Sequence, residues 1–323
     1  MTNWFVEQFW EKCLYYFSSE TSQKFLRKKY ELLGFEKPRE KSYANCRTFI
    51  FYLEQGKSFF AQARTAPENI KPILIFYGLS FVIKAILLTI DPDYPATTSV
   101  LAHGVSTRKR KKQNYRYFQD EVKIQKHGLF PYFALTLFRI KGLEGKKFSI
   151  SSLLKQIPEL HVLFNKWYDD PLFIKVKKEQ RNFILPDDIL DVFKMTEKRL
   201  SEFLQQKTAK TLFMKSVNKQ LIITYSNHSI EKHGEEILPF RYNLSEDAYY
   251  FIKELNSLTL IPEIMIHYLL LYHLSMLARY EVEWWSELIH YKEGFEYPVI
   301  SHYLQICSGK CLFLLNEFLL EST

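Results

Sequence analysis

Apolar residues recur at three- and four-residue spacings along much of the chain, as in helices that bury one face. Such stripes predict amphipathic helices at 3–33, with a break at 18–22, and at 45–63 and 297–320. Two other segments, 73–90 and 262–280, are apolar almost all round. A helix that is apolar on every side is buried. We therefore expect these two helices to be the most buried elements and to contact each other.

Alternation of apolar and polar residues replaces the helical pattern in the middle of the chain, which is typical of strands. The alternating segments are 121–126, 172–177, 181–185, 211–215 and 220–226. Asn218-Lys219 lies between the last two and fits a hairpin turn. The pattern therefore predicts a mainly α protein, a multi-helix bundle with a small α+β insertion.

The two patterns divide the chain into three regions. We expect an N-terminal helical region at 1–160, an α+β insertion at 161–245 and a C-terminal helical region at 246–323 that completes the core. At the boundary between the last two regions, Ser245-Glu246-Asp247 predicts the start of a helix.

Composition is that of a folded protein with a sizeable core. The chain has 323 residues, 47% of them hydrophobic, with only 10 Gly and 12 Pro, so a disordered chain is excluded. Lys and Arg outnumber Asp and Glu by 44 to 36. This excess permits an anionic partner without requiring one. The four cysteines lack a metal-type double pair and the N-terminus lacks a signal-peptide pattern, so we expect a reduced, cytoplasmic protein.

The apolar segment 72–90 is close to the length of a membrane span and contains one charged residue, Lys84. It also contains Tyr77, Gly78 and Ser80, and a helix buried in a large helical protein is equally apolar. We interpret the segment as a core helix and expect no membrane partner.

The apolar helix at 73–90 is followed by the turn His103-Gly104 and by five consecutive cations at 108–112. Clustered lysine and arginine neutralise phosphates, a histidine in a glycine turn can bind one, and Tyr115 and Tyr117 could stack on bases. A solvated basic loop is the alternative. The candidate residues for binding an anion or nucleic acid are His103, Arg108, Lys109, Arg110, Lys111, Lys112 and Arg116.

Known motifs assign no catalytic residue. The chain contains no phosphate-binding loop, dinucleotide fingerprint, zinc-protease motif or nucleophile elbow. His267 and His273 are six residues apart on one helix, so they point to different faces and are expected in the core. We predict no metal or cofactor. The catalytic candidates are His103 and Arg279, although we expect Arg279 to pair with Glu283, four residues further along the helix.

Four segments closely resemble the bacterial YaaC-like family. They are Ile75-Phe-Tyr-Gly-Leu-Ser80, Asp91-Pro-Asp-Tyr-Pro95, Leu101-Ala-His-Gly-Val-Ser-Thr-Arg-Lys-Arg110 and Leu274-Ser-Met-Leu-Ala-Arg-Tyr-Glu281. The resemblance extends over the whole length. It implies a cytosolic bacterial protein and no particular activity.

A looser resemblance is to HEPN helical bundles, many of which are ribonucleases with an R-x(4–6)-H motif. No interval here has that spacing: Arg116 to His127 and Arg279 to His290 are both too long. The motif is therefore not carried over, and the likeness is to the scaffold alone.

Three functions remain open. The first is a protein that binds nucleic acid, a nucleotide or another anionic partner through the His-Gly and basic loop. The second is a divergent HEPN-like ribonuclease that combines His103 with Arg279 or Arg108. The third is a scaffold that binds a protein partner or a second copy of itself.

Overall fold

The computed structural model describes residues 2–108, 115–168, 171–208, 211–226, 237–255 and 261–320. The helices of this part are α1 (Thr2–Cys13), α2 (Ser19–Leu32), α3 (Pro38–Thr65), α4 (Lys71–Ile90), α5 (Leu129–Phe138), α6 (Ile150–Leu154), α7 (His161–Trp167), α8 (Ile189–Phe193), α9 (Glu197–Thr208), α10 (Glu263–Tyr280), α11 (Val282–Tyr291) and α12 (Glu296–Leu320). The strands are β1 (Val105–Ser106), β2 (Glu121–Ile124), β3 (Lys147–Ser149), β4 (Phe173–Glu179), β5 (Asn182–Pro186), β6 (Leu212–Val217), β7 (Gln220–Tyr225), β8 (Arg241–Asn243) and β9 (Ala248–Ile252).

The chain forms two compact units. The helical unit combines Met1–Ile150 with His267–Thr323, and the sheet unit comprises Ser151–Ile266. Helices account for most of the described residues, so the prediction of a mainly α protein is confirmed.

Helix α4 is a core element of the helical unit, packed mainly against α3 and also against α2, α5 and α12. Most of its apolar positions, among them Ile75, Leu79 and Val82, are fully buried. Gly78 allows α3 to approach closely, because a Cβ atom there would lie 3.0 Å from the Phe60 ring. The apolar sequence of α4 is therefore explained by packing against several helices at once.

The predicted contact between the two most apolar helices is confirmed. The Phe76 ring of α4 lies 5.2 Å from the Tyr268 ring and 5.6 Å from the Tyr272 ring of α10, measured between centroids. In the described part of the chain, α4 is the one helix long and apolar enough to cross a membrane, with a mean hydropathy of 2.3. Two thirds of that window (67%) is buried inside the fold, as in a core helix.

A three-stranded antiparallel sheet in the helical unit has the order β1-β2-β3. The sequence predicted only β2. The partners β1 and β3 have two and three residues, which is too short for an alternating pattern to be visible.

The sheet unit contains a six-stranded sheet with the order β6-β7-β5-β4-β9-β8, in which each pair of neighbours is antiparallel. The strands predicted at 172–177, 181–185, 211–215 and 220–226 are confirmed as β4 to β7. Asn218 and Lys219 both have positive φ angles (50° and 61°), as a tight hairpin turn requires.

The prediction that a helix begins at Ser245 is wrong. Ala248–Ile252 is strand β9, which pairs with β4 on one side and β8 on the other. All five residues of β9 are buried, so apolar and polar positions do not alternate in this strand. The helical segment after β5 is divided into α8 and α9, because Lys194 at the end of α8 has a left-handed backbone conformation.

Candidate anion-binding site

The chain contains two His-Gly dipeptides, His103-Gly104 and His127-Gly128, and their glycines are in close contact. A Cβ atom on Gly128 would lie 2.3 Å from both the Cα and the amide nitrogen of Gly104. Both glycines have positive φ angles, which side chains disfavour. The amides of Leu129 and Phe130 then donate to the carbonyl oxygens of Ala102 (2.7 Å) and His103 (3.1 Å). The first turn of α5 therefore holds the backbone around His103.

His103 is half-buried among aromatic rings. Its imidazole centroid lies 5.0 Å from that of Phe76, 6.0 Å from Tyr77 and 5.7 Å from Tyr272. Burial, followed by the charges of Arg279 and Lys84, lowers the pKa of His103 to about 4. The imidazole is therefore neutral at pH 7.

Arg279 lies beside the same tyrosine. Its guanidinium carbon is 5.9 Å from the centre of the Tyr77 ring, and Nη1 is 3.4 Å from the Tyr77 hydroxyl. Nε donates to the carbonyl oxygen of Ser275 at 3.0 Å. The expected pairing with Glu283 is not formed, because α10 ends at Tyr280 and Glu283 lies on α11.

Lys84 is the second cation near His103. Its Nζ is 5.1 Å from the centre of the Phe81 ring and 5.9 Å from that of Tyr52. Burial lowers the pKa of Lys84. Among the described residues, no carboxylate oxygen lies within 4.0 Å of the charged nitrogens of Lys84 or Arg279. We call His103, Tyr77, Lys84 and Arg279 the His103 site.

Of the seven predicted binding residues, three lie in the described part of the chain. His103 lies in the His103 site, and Arg108 and Arg116 are exposed. Lys109, Arg110, Lys111 and Lys112 lie outside the described residues. The structure thus brings His103 together with Arg279. It gives no position for residues 109–112 of the basic run.

The tyrosines after the basic run are not free to stack on bases as predicted. Tyr117 is fully buried. The Tyr115 hydroxyl donates to Oδ2 of Asp120 at 2.9 Å, and its ring packs edge-on against Trp284 at 4.8 Å. Both residues therefore anchor the end of the loop. The prediction that these two tyrosines stack on bases is therefore wrong. Sequence spacing does not reveal which side of a loop packs against the core.

His267 and His273 each have a polar neighbour in the core. Nδ1 of His267 lies 3.0 Å from the hydroxyl of Tyr303. Nε2 of His273 lies 2.8 Å from Oδ2 of Asp120, and both side chains are almost completely buried. The two histidines are thus core residues with separate partners, as the sequence predicted.

Sequence reasoning missed Tyr77 and Lys84 as members of the site. Tyr77 reads as one more aromatic residue of an apolar helix. Lys84 carried a signal, since it is the single charged residue between 72 and 90. A charge kept in a helix that is otherwise apolar needs a physical explanation. Its proximity to His103 could not be read from the sequence, because it depends on tertiary packing.

The chain belongs to the YaaC-like protein family, whose model matches residues 14–319, nearly the whole length. The resemblance seen in the four sequence segments is thereby confirmed. Comparison with curated proteins and comparison with solved structures both give no match.

Proposed function

We propose that this YaaC-like protein binds an anionic ligand, nucleic acid or a nucleotide, at the His103 site. The basic run 108–112 adds electrostatic attraction for the same ligand. We treat the helical unit as a multi-helix bundle that supports the site. Cytoplasmic location is part of the proposal, supported by four cysteines that are all buried as thiols.

One observation carries this proposal: in the described part of the chain, no carboxylate lies beside Lys84 or Arg279. Lys84 and Arg279 are half-buried, and both lower the pKa of His103. Aromatic rings stabilise such cations only in part. A phosphate group at either cation would supply the missing negative charge and would accept hydrogen bonds from its guanidinium or ammonium group.

Salt dependence tests the electrostatic part. The parent protein and a variant with glutamine at all five positions of 108–112 are titrated against labelled RNA and a labelled nucleotide across a salt series. We expect weaker binding by the variant and a flatter salt dependence, because fewer counterions are released. Equal affinity and equal slope would mean that the run is only a solvated loop.

A matched control removes the same number of charges elsewhere. Five exposed cations of the sheet unit are replaced by glutamine, which gives the same change in net charge. A similar loss of binding in this control would indicate non-specific attraction to a basic protein. The control positions are Lys175, Lys177, Lys194, Lys198 and Arg199.

A direct test of the site is Arg279→Gln. This change keeps a polar side chain on α10 but removes the charge next to Tyr77. We expect weaker binding of the RNA and of the nucleotide, with little change in the melting temperature. Unchanged affinity for both probes would exclude the His103 site as the place of binding.

A divergent ribonuclease is the second candidate function. The observation that favours it is that His103 and Arg279 approach the same ring, that of Tyr77, although the R-x(4–6)-H spacing is absent. A neutral imidazole can accept a proton from an attacking hydroxyl, and a guanidinium can stabilise the phosphate.

His103→Gln separates the two functions. If the protein cleaves RNA, the variant should lose cleavage while it still binds RNA. His127→Gln, which removes the exposed histidine of the other His-Gly turn, is the control. Cleavage that persists in purified His103→Gln would remove His103 from the mechanism.

A further inference from the structure

A row of aromatic side chains continues from the His103 site along α3 and α4. Tyr77 stacks on Phe59, with ring centroids 5.8 Å apart and an angle of 27° between the planes. Phe59 stacks on Phe81 at 5.7 Å and 14°. Phe81 contacts Tyr52 at 6.1 Å and 41°. We call these four residues the aromatic ladder.

The ladder follows from the spacing of its residues on two neighbouring helices. Tyr52 and Phe59 are seven residues apart on α3, and Tyr77 and Phe81 are four residues apart on α4. Both spacings place side chains on one face of a helix. All four side chains are half-buried, so the row lies where the α3–α4 pair meets solvent.

Both ends of the ladder carry a positive charge. Arg279 lies over Tyr77 at one end, and Lys84 lies over Phe81 and Tyr52 at the other. The carboxylates at the end of α4 have partners of their own. Asp91 accepts a hydrogen bond from Tyr132, and Asp93 forms an ion pair with Lys41 at 2.6 Å.

We infer that the aromatic ladder is a stacking surface for the bases of a single-stranded nucleic acid, whose phosphates are neutralised by Lys84 and Arg279. The inference deepens the proposed function, on which it rests, by naming the class of ligand. Rows of aromatic rings flanked by cations are the general means of binding single strands without reading their sequence.

The observations favour this occupant over others. An apolar protein surface would cover the rings but would leave both cations without a counter-charge. A free nucleotide has one base and would use one ring of the row. A duplex hides the faces of its bases inside the stack, so only its phosphates could interact.

The first experiment uses the parent protein alone. Anisotropy is measured with labelled oligouridylate, oligothymidylate, an abasic strand with the same number of phosphates, and a duplex of equal length. We expect one or both base-bearing single strands to bind about tenfold or more tightly than the abasic strand. The duplex should bind no better than the abasic strand.

The outcomes separate the inference from the proposed function. Equal, salt-dependent binding of base-bearing and abasic strands would overturn the stacking inference and leave the proposed function standing. Binding of none of the four probes would overturn stacking and binding of nucleic acid together. A preference for the duplex would also exclude stacking on the ladder.

The second experiment replaces two rings of the ladder. Phe59→Leu combined with Phe81→Leu keeps apolar volume but removes the flat faces. The folded variant should lose the preference for base-bearing strands while its affinity for the abasic strand is unchanged. Phe51→Leu, on the same helix but 57% exposed and outside the ladder, is the matched control.

A preference that survives in the folded double variant would contradict the inference. So would the loss of the preference in Phe51→Leu. If the double variant does not fold, the comparison of base-bearing and abasic strands on the parent protein decides the question by itself.

Discussion

Folding lowers the pKa of His103 to about 4, because burial and the nearby cations Arg279 and Lys84 disfavour the imidazolium ion. The ordinary pKa of the side chain is 6.5. Between these two values the unfolded chain binds a proton that the folded chain does not. The contribution of His103 to stability is therefore fully present above pH 6.5 and is lost as the pH falls towards 4.

We predict that His103→Gln reduces the loss of stability on acidification. Carboxylates also titrate in this range, so the informative quantity is the difference between parent and variant. Urea unfolding at about pH 7 and about pH 5 measures it. Relative to the parent protein, the variant should have a higher free energy of unfolding at about pH 5 than at about pH 7. A gap that is the same at both pH values would show that the imidazole is not held neutral.

The meeting of Gly104 and Gly128 gives a second prediction at this scale. Gly128→Ala should destabilise the protein by roughly 2–4 kcal/mol, since the new Cβ would collide with the Gly104 backbone at a positive φ angle. Gly142→Ala is the control. Its φ angle is also positive, but no atom lies within 4 Å of the added Cβ. Backbone strain alone should then cost about 1 kcal/mol. Equal losses in urea unfolding would show that the close contact is not what matters.

At the scale of single elements, the sequence predicted the long helices and the hairpin β6–β7 because their information is local. Helical stripes reveal which face is buried, and Asn218-Lys219 suits the turn between the strands. Strand β9 was missed because Ala-Tyr-Tyr-Phe-Ile has no alternation when both faces are covered. Its pairing with β4, more than seventy residues earlier, cannot be read from a local pattern.

The buried pair between Asp120 and His273 connects the start of β2 to helix α10 and also holds Tyr115. We predict that Asp120→Ala lowers the free energy of unfolding by about 3–5 kcal/mol, because it removes one partner of a buried pair. Asp93→Ala breaks the exposed ion pair with Lys41 and should cost about 1 kcal/mol or less. Urea unfolding of both variants checks the prediction. A small effect of Asp120→Ala would mean that other contacts hold α10 and β2 together.

At the scale of the whole molecule, the sequence predicted the helical core better than the candidate site. Two apolar helices could be recognised as the centre from their composition. The His103 site combines α4, the loop before β1 and α10, which are far apart along the chain. The run of cations at 108–112 is visible in the sequence. The position of the half-buried Lys84 and Arg279 near His103 depends on helix packing. Sequence alone therefore found His103 and Arg279, but not Lys84 or the burial that lowers the pKa of His103.

The last prediction concerns the core of the helical unit and is tested by hydrogen exchange. Amides within 75–88 of α4 and 268–277 of α10 should exchange among the slowest, because most of these side chains are fully buried and their exposure requires extensive unfolding. Helix α2 is the internal comparison, since it presents an exposed charged face that includes Lys24 and Lys28. Mass spectrometry of peptides from the three helices gives the rates. Exchange in α4 as fast as in α2 would mean that α4 is not a core helix in solution, and would remove the packing on which both Lys84 and the aromatic ladder depend.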